Sequence, residues 1–387
     1  MKVKRLIINK ILSDKDISNL EGKWIDESYI KHPIINSDTD VYYRDDNNKL
    51  KLLLKFRKNV ISDKLIQIGW ESYKDLAKAS RGRGASAGPI NPNSQYWKKR
   101  DLVKTNKWST GYLTPKGNEM KKEYDKLSIE EIINKINQND IKIPEDIINN
   151  KNQLILLLIK KNNGISKMKV NNQVASNPIG YYEENKNFAD LPCRLTHFTR
   201  TNYEKYNRGL KFIQRIDKIF QNLIPENYFK QLQRANLKPH LKIPETSFST
   251  ITINRNFRTA LHRDAGDFKE GFGNLTVIER GKYHGGYTVF PQFGVAINIR
   301  NNDFCAMDVH QWHSNTPLYE TDEDKKYNET LEKDYHDNPD VGTEGLYKNY
   351  TRLSFVCYLR EKIANCPNKD KINHQYLTKS GHNKIII

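Results

Sequence analysis

Two histidines and an aspartate have the residue types and spacing of a metal site. His262 and Asp264 are separated by one residue, and side chains at i and i+2 of an extended segment lie on one face. The later segment FCAMDVHQWHSNTP offers His310 or His313 as a third ligand. We favour His313, which stands just before a proline turn where a strand would end. Two imidazoles and one carboxylate form the facial set that holds Fe(II) and leaves positions open for O₂ and substrate.

An arginine and a serine further along the chain would hold an organic acid beside that metal. Arg352 and Ser354 alternate with apolar residues in T-R-L-S-F-V, so both polar side chains lie on one face of a predicted strand. A guanidinium grips a carboxylate through two parallel hydrogen bonds, as the distal carboxylate of 2-oxoglutarate requires. The alternative is a structural Arg–Asp pair, which the order H-x-D, His, R-x-S disfavours. The sequence therefore predicts Fe(II) as the bound metal, with 2-oxoglutarate and O₂ as co-substrates.

The tripeptide H-R-D also begins the catalytic loop of protein kinases. In kinases an Asn stands five residues after the Asp, where this chain has Lys269. No glycine-rich loop followed by a lysine-bearing strand precedes the tripeptide. The sequence therefore excludes a kinase.

The segments around these residues have the pattern of short strands. In chain order they are FSTITIN, NLTVIE, GYTVF, VAINI, FCAMDV and RLSFVCYL. Six strands at this spacing favour a β-sandwich or barrel, and a jelly roll brings strand ends to one mouth. Residues 209–236 have helical periodicity and would pack on the sheet. The predicted fold class is α+β, a double-stranded β-helix (jelly-roll or cupin-like) core with flanking helices and a small helical insert.

The helical insert is predicted at residues 126–163. Ser128 and Glu131 form an S-x-x-E capping box, which an isoleucine stripe at helical spacing follows, and a second helix runs through NKNQLILLLIKK. The pair resembles the SAP module, a DNA-binding helical hairpin. The alternative is a hairpin that only packs on the main domain. The lysines available for a basic surface are Lys135, Lys142, Lys151, Lys160 and Lys161.

The remaining chain divides around that insert. Residues 1–125 would be the N-terminal part of the catalytic domain, and residues 164–387 the β-helix core with a basic C-terminal tail. Within the first of these segments, the glycine-rich stretch 80–94 carries Arg81 and Arg83, which would approach a phosphate backbone unless the stretch is a plain linker.

Composition and charge favour a polyanionic partner. The 387 residues include 64 Lys and Arg against 46 Asp and Glu, a formal net charge of +18. Such an excess neutralises phosphates and releases counterions, although a chain rich in Lys, Asn and Ile could owe it to compositional bias. A hydrophobic fraction of 37% is enough for a folded core.

Cysteine spacing and hydropathy predict a compartment. The four cysteines are far apart with no C-x-x-C pair, which favours buried reduced thiols. No run approaches the roughly 18 apolar residues of a membrane span. We therefore expect a soluble intracellular protein, in the cytoplasm or nucleus of a host cell that could be virus-infected, with no membrane partner. The sequence does not indicate the oligomeric state.

From about residue 180 to 360 the chain resembles the TET/JBP family of DNA-base dioxygenases, especially its phage and large-virus branch. The resembling segments are PCRLTHFTR, FRTALHRDAGDFKEGFGNLTVIE, GGYTVFPQFGVAINIRNNDFCAMDVHQWHSNTP and TRLSFVCYLR. The resemblance implies a double-stranded β-helix that binds Fe(II) and oxidises the methyl group of 5-methylcytosine or thymine while 2-oxoglutarate becomes succinate. By motif, His262, Asp264 and His313 would be the iron ligands, and Arg352 with Ser354 the 2-oxoglutarate contacts.

Further residues are candidates around that site. Asp267 stands where many family members have a base-contacting Asn, and a carboxylate there would favour cytosine over thymine unless it is protonated or only caps a turn. Arg258 and Asn254 are candidates for further 2-oxoglutarate contacts. Phe257 and Phe290 would stack on a flipped base unless they belong to the core. The segment 319–349 would be a surface loop that closes on substrate.

The predicted function is oxidation of a 5-methylpyrimidine in DNA by an Fe(II)- and 2-oxoglutarate-dependent dioxygenase. Two alternatives remain at this stage. One is a 2-oxoglutarate-dependent hydroxylase of RNA, protein or a small metabolite. The other is a DNA-binding module whose catalysis has been lost, which the intact ligand set disfavours.

Overall fold

The computed structural model describes residues 3–80, 82–90, 102–104, 110–165, 172, 174–185, 191–332 and 349–377. Three predictions lie wholly or partly outside these ranges: the phosphate contact of Arg81, most of the loop 319–349 and the end of the C-terminal tail. The chain forms two compact units, a core unit (1–80 and 173–387) and a helical unit (81–172). The helical unit therefore extends on both sides beyond the predicted insert 126–163.

The described residues form seventeen strands and nine α-helices. In chain order they are β1 (Lys4–Ile8), α1 (Asp14–Ser18), β2 (Thr39–Arg44), β3 (Leu50–Arg57), α2 (Asp63–Tyr73), β4 (Ala79–Ser80), β5 (Leu102–Lys104), β6 (Thr110–Tyr112), α3 (Pro115–Tyr124), α4 (Ile129–Gln138), α5 (Lys151–Lys161), β7 (Val174–Tyr182), β8 (Arg194–Leu195), α6 (His197–Thr201), α7 (Tyr203–Leu223), α8 (Pro225–Ala235), β9 (Thr250–Arg255), β10 (Gly273–Arg280), β11 (His284–Gly285), β12 (Thr288–Phe290), β13 (Val295–Ile297), β14 (Phe304–Met307), β15 (Ser314–Asn315), β16 (Leu318–Tyr319), α9 (Asp322–Glu329) and β17 (Thr351–Tyr358).

A large sheet dominates the core unit. Its strand order is β1-β2-β3-β14-β10-β17-β9-β7-β4, with β8 beside β7. The pair β1–β2 is parallel, and the other neighbouring strands of this sheet are antiparallel. Because side chains alternate between the faces of a strand, β17 sends Leu353 and Phe355 to one face and Arg352 and Ser354 to the other.

Helices cover the first face of this sheet. Leu353 and Phe355 pack with Phe212, Ile213 and other apolar residues of α7 in one buried cluster. The helices α2 and α7 approach so closely that a Cβ on Gly209 would lie 2.2 Å from the ring of Tyr73. This helical layer supports the large sheet on one face, and the sheet in turn positions the side chains on its opposite face.

A smaller sheet covers the second face. Its strand order is β13-β12-β15, and β11 pairs separately with β16. Leu275 and Val277 of the large sheet share a buried cluster with Phe290, Val295 and Ile297 of the small one. Two facing sheets of short antiparallel strands, with helices on the outside, are the predicted double-stranded β-helix in an α+β chain. The structure confirms the predicted fold class.

The helical unit has its own core. Ser128 accepts a hydrogen bond from the backbone N–H of Glu131, and the Glu131 side chain accepts one from the backbone N–H of Ser128, so the predicted capping box is present. Ile132 and Ile136 of α4 pack against the leucines and isoleucines of α5. The predicted helical hairpin is confirmed, with α3 preceding it.

Two of the four cysteines correct the sequence-based expectation. Cys193 and Cys366 form a disulfide across 173 residues, so the prediction of reduced thiols is wrong for this pair. Cys305 and Cys357 are buried and free, as predicted. Linear spacing carries no signal for the bonded pair, because only the fold brings β8 next to the segment after β17.

Among the described helices, none has the length and apolar character needed to cross a bilayer.

Candidate metal centre and co-substrate pocket

The three predicted metal ligands come together. His262 follows β9 and His313 precedes β15, and their backbones exchange two hydrogen bonds of 3.0 Å. The backbone N–H of Asp264 donates to the carbonyl of Val309 at 3.0 Å, which fixes the next ligand along the chain. One ligand atom from each of the three side chains lies within 4.8 Å of the others, as a shared ion requires. The alternative ligand, His310, has its Nε2 instead 3.3 Å from the carbonyl oxygen of Phe268.

Hydrogen bonds fix which imidazole nitrogens are available to a metal. His262 Nδ1 lies 2.8 Å from the carbonyl oxygen of Ala260, and His313 Nδ1 lies 2.9 Å from that of Gln311. A carbonyl only accepts, so each Nδ1 carries the proton and each Nε2 keeps its lone pair. Both Nε2 atoms face the Asp264 carboxylate, at 3.6 Å and 3.8 Å.

Electrostatics agree with a neutral ligand at His313. Burial and the adjacent His262 lower the pKa of His313 to about 4, so its imidazole is neutral at neutral pH. Two imidazoles and one carboxyl group, with three donor atoms converging, fit a ferrous ion with open positions. The spacing alone allowed either His310 or His313 as the third metal ligand, and this geometry favours His313.

Arg352 has the properties expected of a carboxylate-binding residue. Its side chain is 3% exposed, and its Nε has no hydrogen-bond partner. No ion pair links its guanidinium to a carboxylate of the described residues. Gly286 lies beside this side chain: a Cβ there would be in ordinary contact with the Arg352 Cδ at 3.7 Å and would clash with Leu318 at 2.5 Å. A buried guanidinium without an acceptor is costly unless a ligand supplies one, so the site fits the distal carboxylate of 2-oxoglutarate.

A polar chain crosses three strands beside Arg352. Asn254 Nδ2 donates to Ser354 Oγ at 3.2 Å, and Ser176 Oγ donates to Asn254 Oδ1 at 2.5 Å. The register pairs Asn254 of β9 with both serines, on β17 and on β7. Sequence reasoning predicted Asn254 and Ser354 but missed Ser176, because no local motif marks a serine that acts through a neighbouring strand.

The Asn256 side chain forms hydrogen bonds with the backbone next to and at Arg352. Asn256 Oδ1 accepts from the Arg352 N–H at 2.7 Å, and Asn256 Nδ2 donates to the carbonyl of Tyr350 at 2.8 Å. Asn256 has a φ of 47°, in the left-handed region that asparagine tolerates better than most residues. This side chain thereby positions the start of β17.

Asp267 is buried next to the metal ligands. Its Oδ2 has no hydrogen-bond partner, and its backbone pairs with that of Arg360. Burial raises the pKa of Asp267 well above its usual range, and the carboxylate of Asp264 adds to this effect while Arg360 opposes it. The raised pKa favours the protonated carboxyl, which can both donate and accept a hydrogen bond.

The other predicted contacts have partners elsewhere in the core unit. Arg258 donates to the carbonyl of Ile25 at 2.9 Å and lies over the ring of Trp24, so it ties down the N-terminal segment. Phe257 is 4% exposed, and Phe290 is fully buried with its ring centroid 6.0 Å from that of His313. Contact of these three residues with 2-oxoglutarate or a base stays a prediction, which their present partners and burial do not favour.

Residues 177–361 match the family model described as the oxygenase domain of the 2OGFeDO superfamily, Tet_JBP. The curated relatives include the bifunctional helicase and thymine dioxygenase JBP2 of Leishmania braziliensis, 31% identical over 47% of this chain and 14% of the relative. They also include JBP2 of Trypanosoma cruzi (34% identical, 48% of this chain, 14% of the relative) and thymine dioxygenase JBP1-A of the same organism (35% identical, 35% and 16%). Each match thus spans about one sixth or less of the relative.

A solved structure described as NgTET1 in complex with 5mC DNA aligns over 95% of this chain and 98% of that one, with a TM-score of 0.44 and 9% identity. The family match covers the segment that holds all three converging ligands and Arg352. Residues 177–361, nearly half of the chain, are therefore similar to the Tet_JBP oxygenase domain of the 2OGFeDO superfamily.

Proposed function

We propose that this chain oxidises the methyl group of a 5-methylpyrimidine, 5-methylcytosine or thymine, in DNA, using Fe(II), 2-oxoglutarate and O₂. The observation that carries the proposal is the pairing of a converging His262–Asp264–His313 set with an unpaired, buried Arg352 in one family-matched domain. The relatives named thymine dioxygenases support a pyrimidine methyl group as the target.

Each residue has a defined task in this proposal. His262, Asp264 and His313 hold the iron, which with 2-oxoglutarate and O₂ supplies an oxidant strong enough for a methyl C–H bond. Arg352 binds the distal carboxylate of 2-oxoglutarate through its guanidinium, and Ser354 lies beside it on the same face. The carbonyl partners of both Nδ1 atoms keep the imidazoles in the ligating tautomer.

Asp267 is the proposed contact to the pyrimidine edge. A charged carboxylate would prefer the amine of cytosine, whereas the raised pKa of Asp267 favours the protonated carboxyl, which donates as well as accepts. It can therefore accept from the N4 amine of cytosine or donate to the O4 of thymine. Asp267 thus gives no preference for cytosine, and both 5-methylpyrimidines remain substrates of the proposal. The target base has to leave the duplex, at a cost of a few kcal/mol.

The helical unit is the proposed source of additional DNA affinity. Residues 81–172 contain 18 Lys and Arg against nine Asp and Glu, half of the net charge of the whole chain. Lys142, Lys160 and Lys161 are exposed. Phosphate contacts of this kind bind DNA without reading its sequence, and their strength falls steeply with salt. A SAP-like role for the unit and a viral or phage origin for the chain remain predictions.

Product analysis tests the proposed function. The full chain is incubated with Fe(II), 2-oxoglutarate and DNA that contains 5-methylcytosine and thymine, and its nucleosides and succinate are then quantified by mass spectrometry. We expect oxidised 5-methylpyrimidine nucleosides in amounts that follow succinate, and neither product with Asp264→Ala.

The matched control is Asp75→Ala, which removes an aspartate that pairs with Lys205 on the surface. This variant should keep full turnover. Succinate formation without any oxidised base, in the presence of either methylated or unmethylated DNA, would contradict the choice of substrate. Full activity in Asp264→Ala would contradict the metal site.

A further inference from the structure

Glu279 lies directly opposite the proposed 2-oxoglutarate-binding arginine. The register of β10 and β17 pairs Glu279 with Arg352, so both side chains leave the sheet on the same face. Directly opposed residues in an antiparallel pair have Cβ atoms about 4.5–5.5 Å apart, and opposite charges there attract each other. An ion pair would be the default outcome. Among the described residues, however, no ion pair is formed between Glu279 and Arg352, and Arg352 Nε has no hydrogen-bond partner.

Another arginine engages Glu279 instead. Arg300 Nη1 lies 3.2 Å from Glu279 Oε1, and the hydroxyl of Tyr283 donates to the same oxygen. The second oxygen, Oε2, accepts from the backbone N–H of Asn301 at 2.9 Å. Both oxygens of the Glu279 carboxylate, whose side chain is 14% exposed, thereby have partners other than Arg352.

Arg300 is itself held in place by several contacts. Its Nη2 donates to the carbonyl of Gly285 at 3.0 Å, its Nε donates to Asn298, and its guanidinium lies 4.4 Å from the ring centroid of Tyr283. The five N–H donors of an arginine allow such a three-sided arrangement, which a lysine could not reproduce. Its orientation toward Glu279 is therefore built into the fold.

We propose that Arg300 is a positioning residue that holds Glu279 away from Arg352 and so keeps the Arg352 guanidinium free for the distal carboxylate of 2-oxoglutarate. The inference rests on the proposed function, because it takes 2-oxoglutarate as the ligand of Arg352. Without Arg300, the least solvated cation within reach of Glu279 is Arg352, and the Glu279 carboxylate then competes with the co-substrate inside the chain.

Co-substrate binding in the full chain tests this competition. The dissociation constant for 2-oxoglutarate is measured by titration calorimetry with Mn(II) in place of Fe(II) and without O₂, so the readout does not depend on turnover. We expect Arg300→Gln to weaken binding by about tenfold or more, a loss equal to one charge-assisted hydrogen bond. The double variant Arg300→Gln/Glu279→Gln removes the competitor and should return to within about threefold of the wild type, by the same scale.

The control variant is Arg57→Gln, which breaks another partly buried arginine–carboxylate pair, with Asp40 at 2.8 Å. The inference is overturned if Arg300→Gln weakens binding no more than this control, or if the double variant fails to recover. Should Arg300→Gln not fold, Arg300→Lys replaces it. A lysine cannot reproduce the contacts that orient Arg300 toward Glu279, so we expect weaker 2-oxoglutarate binding that Glu279→Gln restores. Unchanged binding in Arg300→Lys, or a loss that Glu279→Gln does not reverse, would equally overturn the inference.

Failure of the proposed function gives a different result. If the wild type does not bind 2-oxoglutarate, or if Arg352→Gln binds it as well as the wild type does, the assignment of the pocket itself is wrong. A loss in Arg352→Gln together with unchanged binding in Arg300→Gln overturns only the role of Arg300.

Discussion

Two buried regions of the core unit use the same residue types in opposite ways. Where α7 and α8 meet the chain before β9, Asp217 accepts hydrogen bonds from the backbone and hydroxyl of Ser247, both at 2.7 Å, and from Tyr228 at 3.0 Å. Beside the candidate metal ligands, Asp267 has an oxygen without a hydrogen-bond partner among the described residues. Buried polar groups are normally satisfied by the chain, so an unsatisfied carboxyl oxygen that also lies beside converging ligand atoms is a candidate ligand contact.

The arginines repeat this contrast. Arg360 grips Glu183 through two nitrogens, Nε and Nη2, and the pair is mostly buried. Arg352 is more deeply buried, yet its Nε remains without an acceptor. Arg360 thus forms an ion pair within the fold, whereas Arg352 keeps hydrogen-bond donors for the ligand that we propose. Burial and residue type alone would not separate the two roles.

The largest effect should come from exchanging each arginine for glutamine. Arg352→Gln should raise the KM for 2-oxoglutarate about a hundredfold, since charge-assisted hydrogen bonds contribute about 1.5–3 kcal/mol each. The same change should leave the free energy of unfolding unchanged or higher, because it removes an unpaired buried charge. Steady-state kinetics and urea unfolding of the chain without added ligand measure the two quantities.

Arg360→Gln is the matched variant for that comparison. It leaves Glu183 without its partner and should lower the free energy of unfolding by about 3 kcal/mol. If both variants lost stability equally, the distinction between a structural and a ligand-binding arginine would fail.

A smaller effect is expected from the two aspartates. Asp217→Ala leaves three buried donors unsatisfied and should lower the free energy of unfolding by about 2–4 kcal/mol. Asp267→Asn replaces a neutral carboxyl with a neutral amide and should change it by less than about 1 kcal/mol. Its effect should instead appear in the ratio of oxidised 5-methylcytosine to oxidised thymine. A destabilisation of Asp267→Asn that matches Asp217→Ala would make Asp267 a structural residue.

Charge reversal in the helical unit should give a moderate change in DNA affinity. Lys160→Glu/Lys161→Glu should weaken DNA binding and lower the slope of log K against log salt by about one to two, because each lost phosphate contact removes about 0.9 from the slope. Lys49→Glu/Lys51→Glu makes the same charge change in the core unit. Fluorescence anisotropy at several salt concentrations distinguishes the pairs, and equal slopes for both would remove the helical unit from the DNA interface.

The smallest effect concerns Ser176. Ser176→Ala frees Asn254 to rotate away from Ser354, and the net loss of about 1 kcal/mol should raise the KM for 2-oxoglutarate about fivefold. Ser72→Ala removes a buried hydroxyl of α2 that has no partner, and it should leave the KM unchanged. A KM for Ser176→Ala equal to that of this control would limit the polar chain to a structural role.

The sequence predicted those parts of the site that local spacing encodes. H-x-D sets two ligands on one face, and R-x-S does the same for the residues proposed to hold the co-substrate. The contacts that it missed depend on strand pairing over long distances: Ser176 meets Asn254 across 78 residues, and Arg300 meets Glu279 across 21. The disulfide between Cys193 and Cys366 could not be predicted for the same reason. Burial, which changes the protonation of Asp267, also exists only in the folded chain.

The pairing of β4 with β7 has a consequence for how this protein could have been assembled. Ser80 lies opposite Val174 in that ladder, so the helical unit leaves and re-enters the core unit at adjacent positions. A tight hairpin turn closes the same gap. Because the two ends are adjacent, a segment of any size can be inserted between β4 and β7 without altering the strand order of the sheet. Exchange of residues 81–172 offers a route to new target preferences that leaves the chemistry of the core unit untouched.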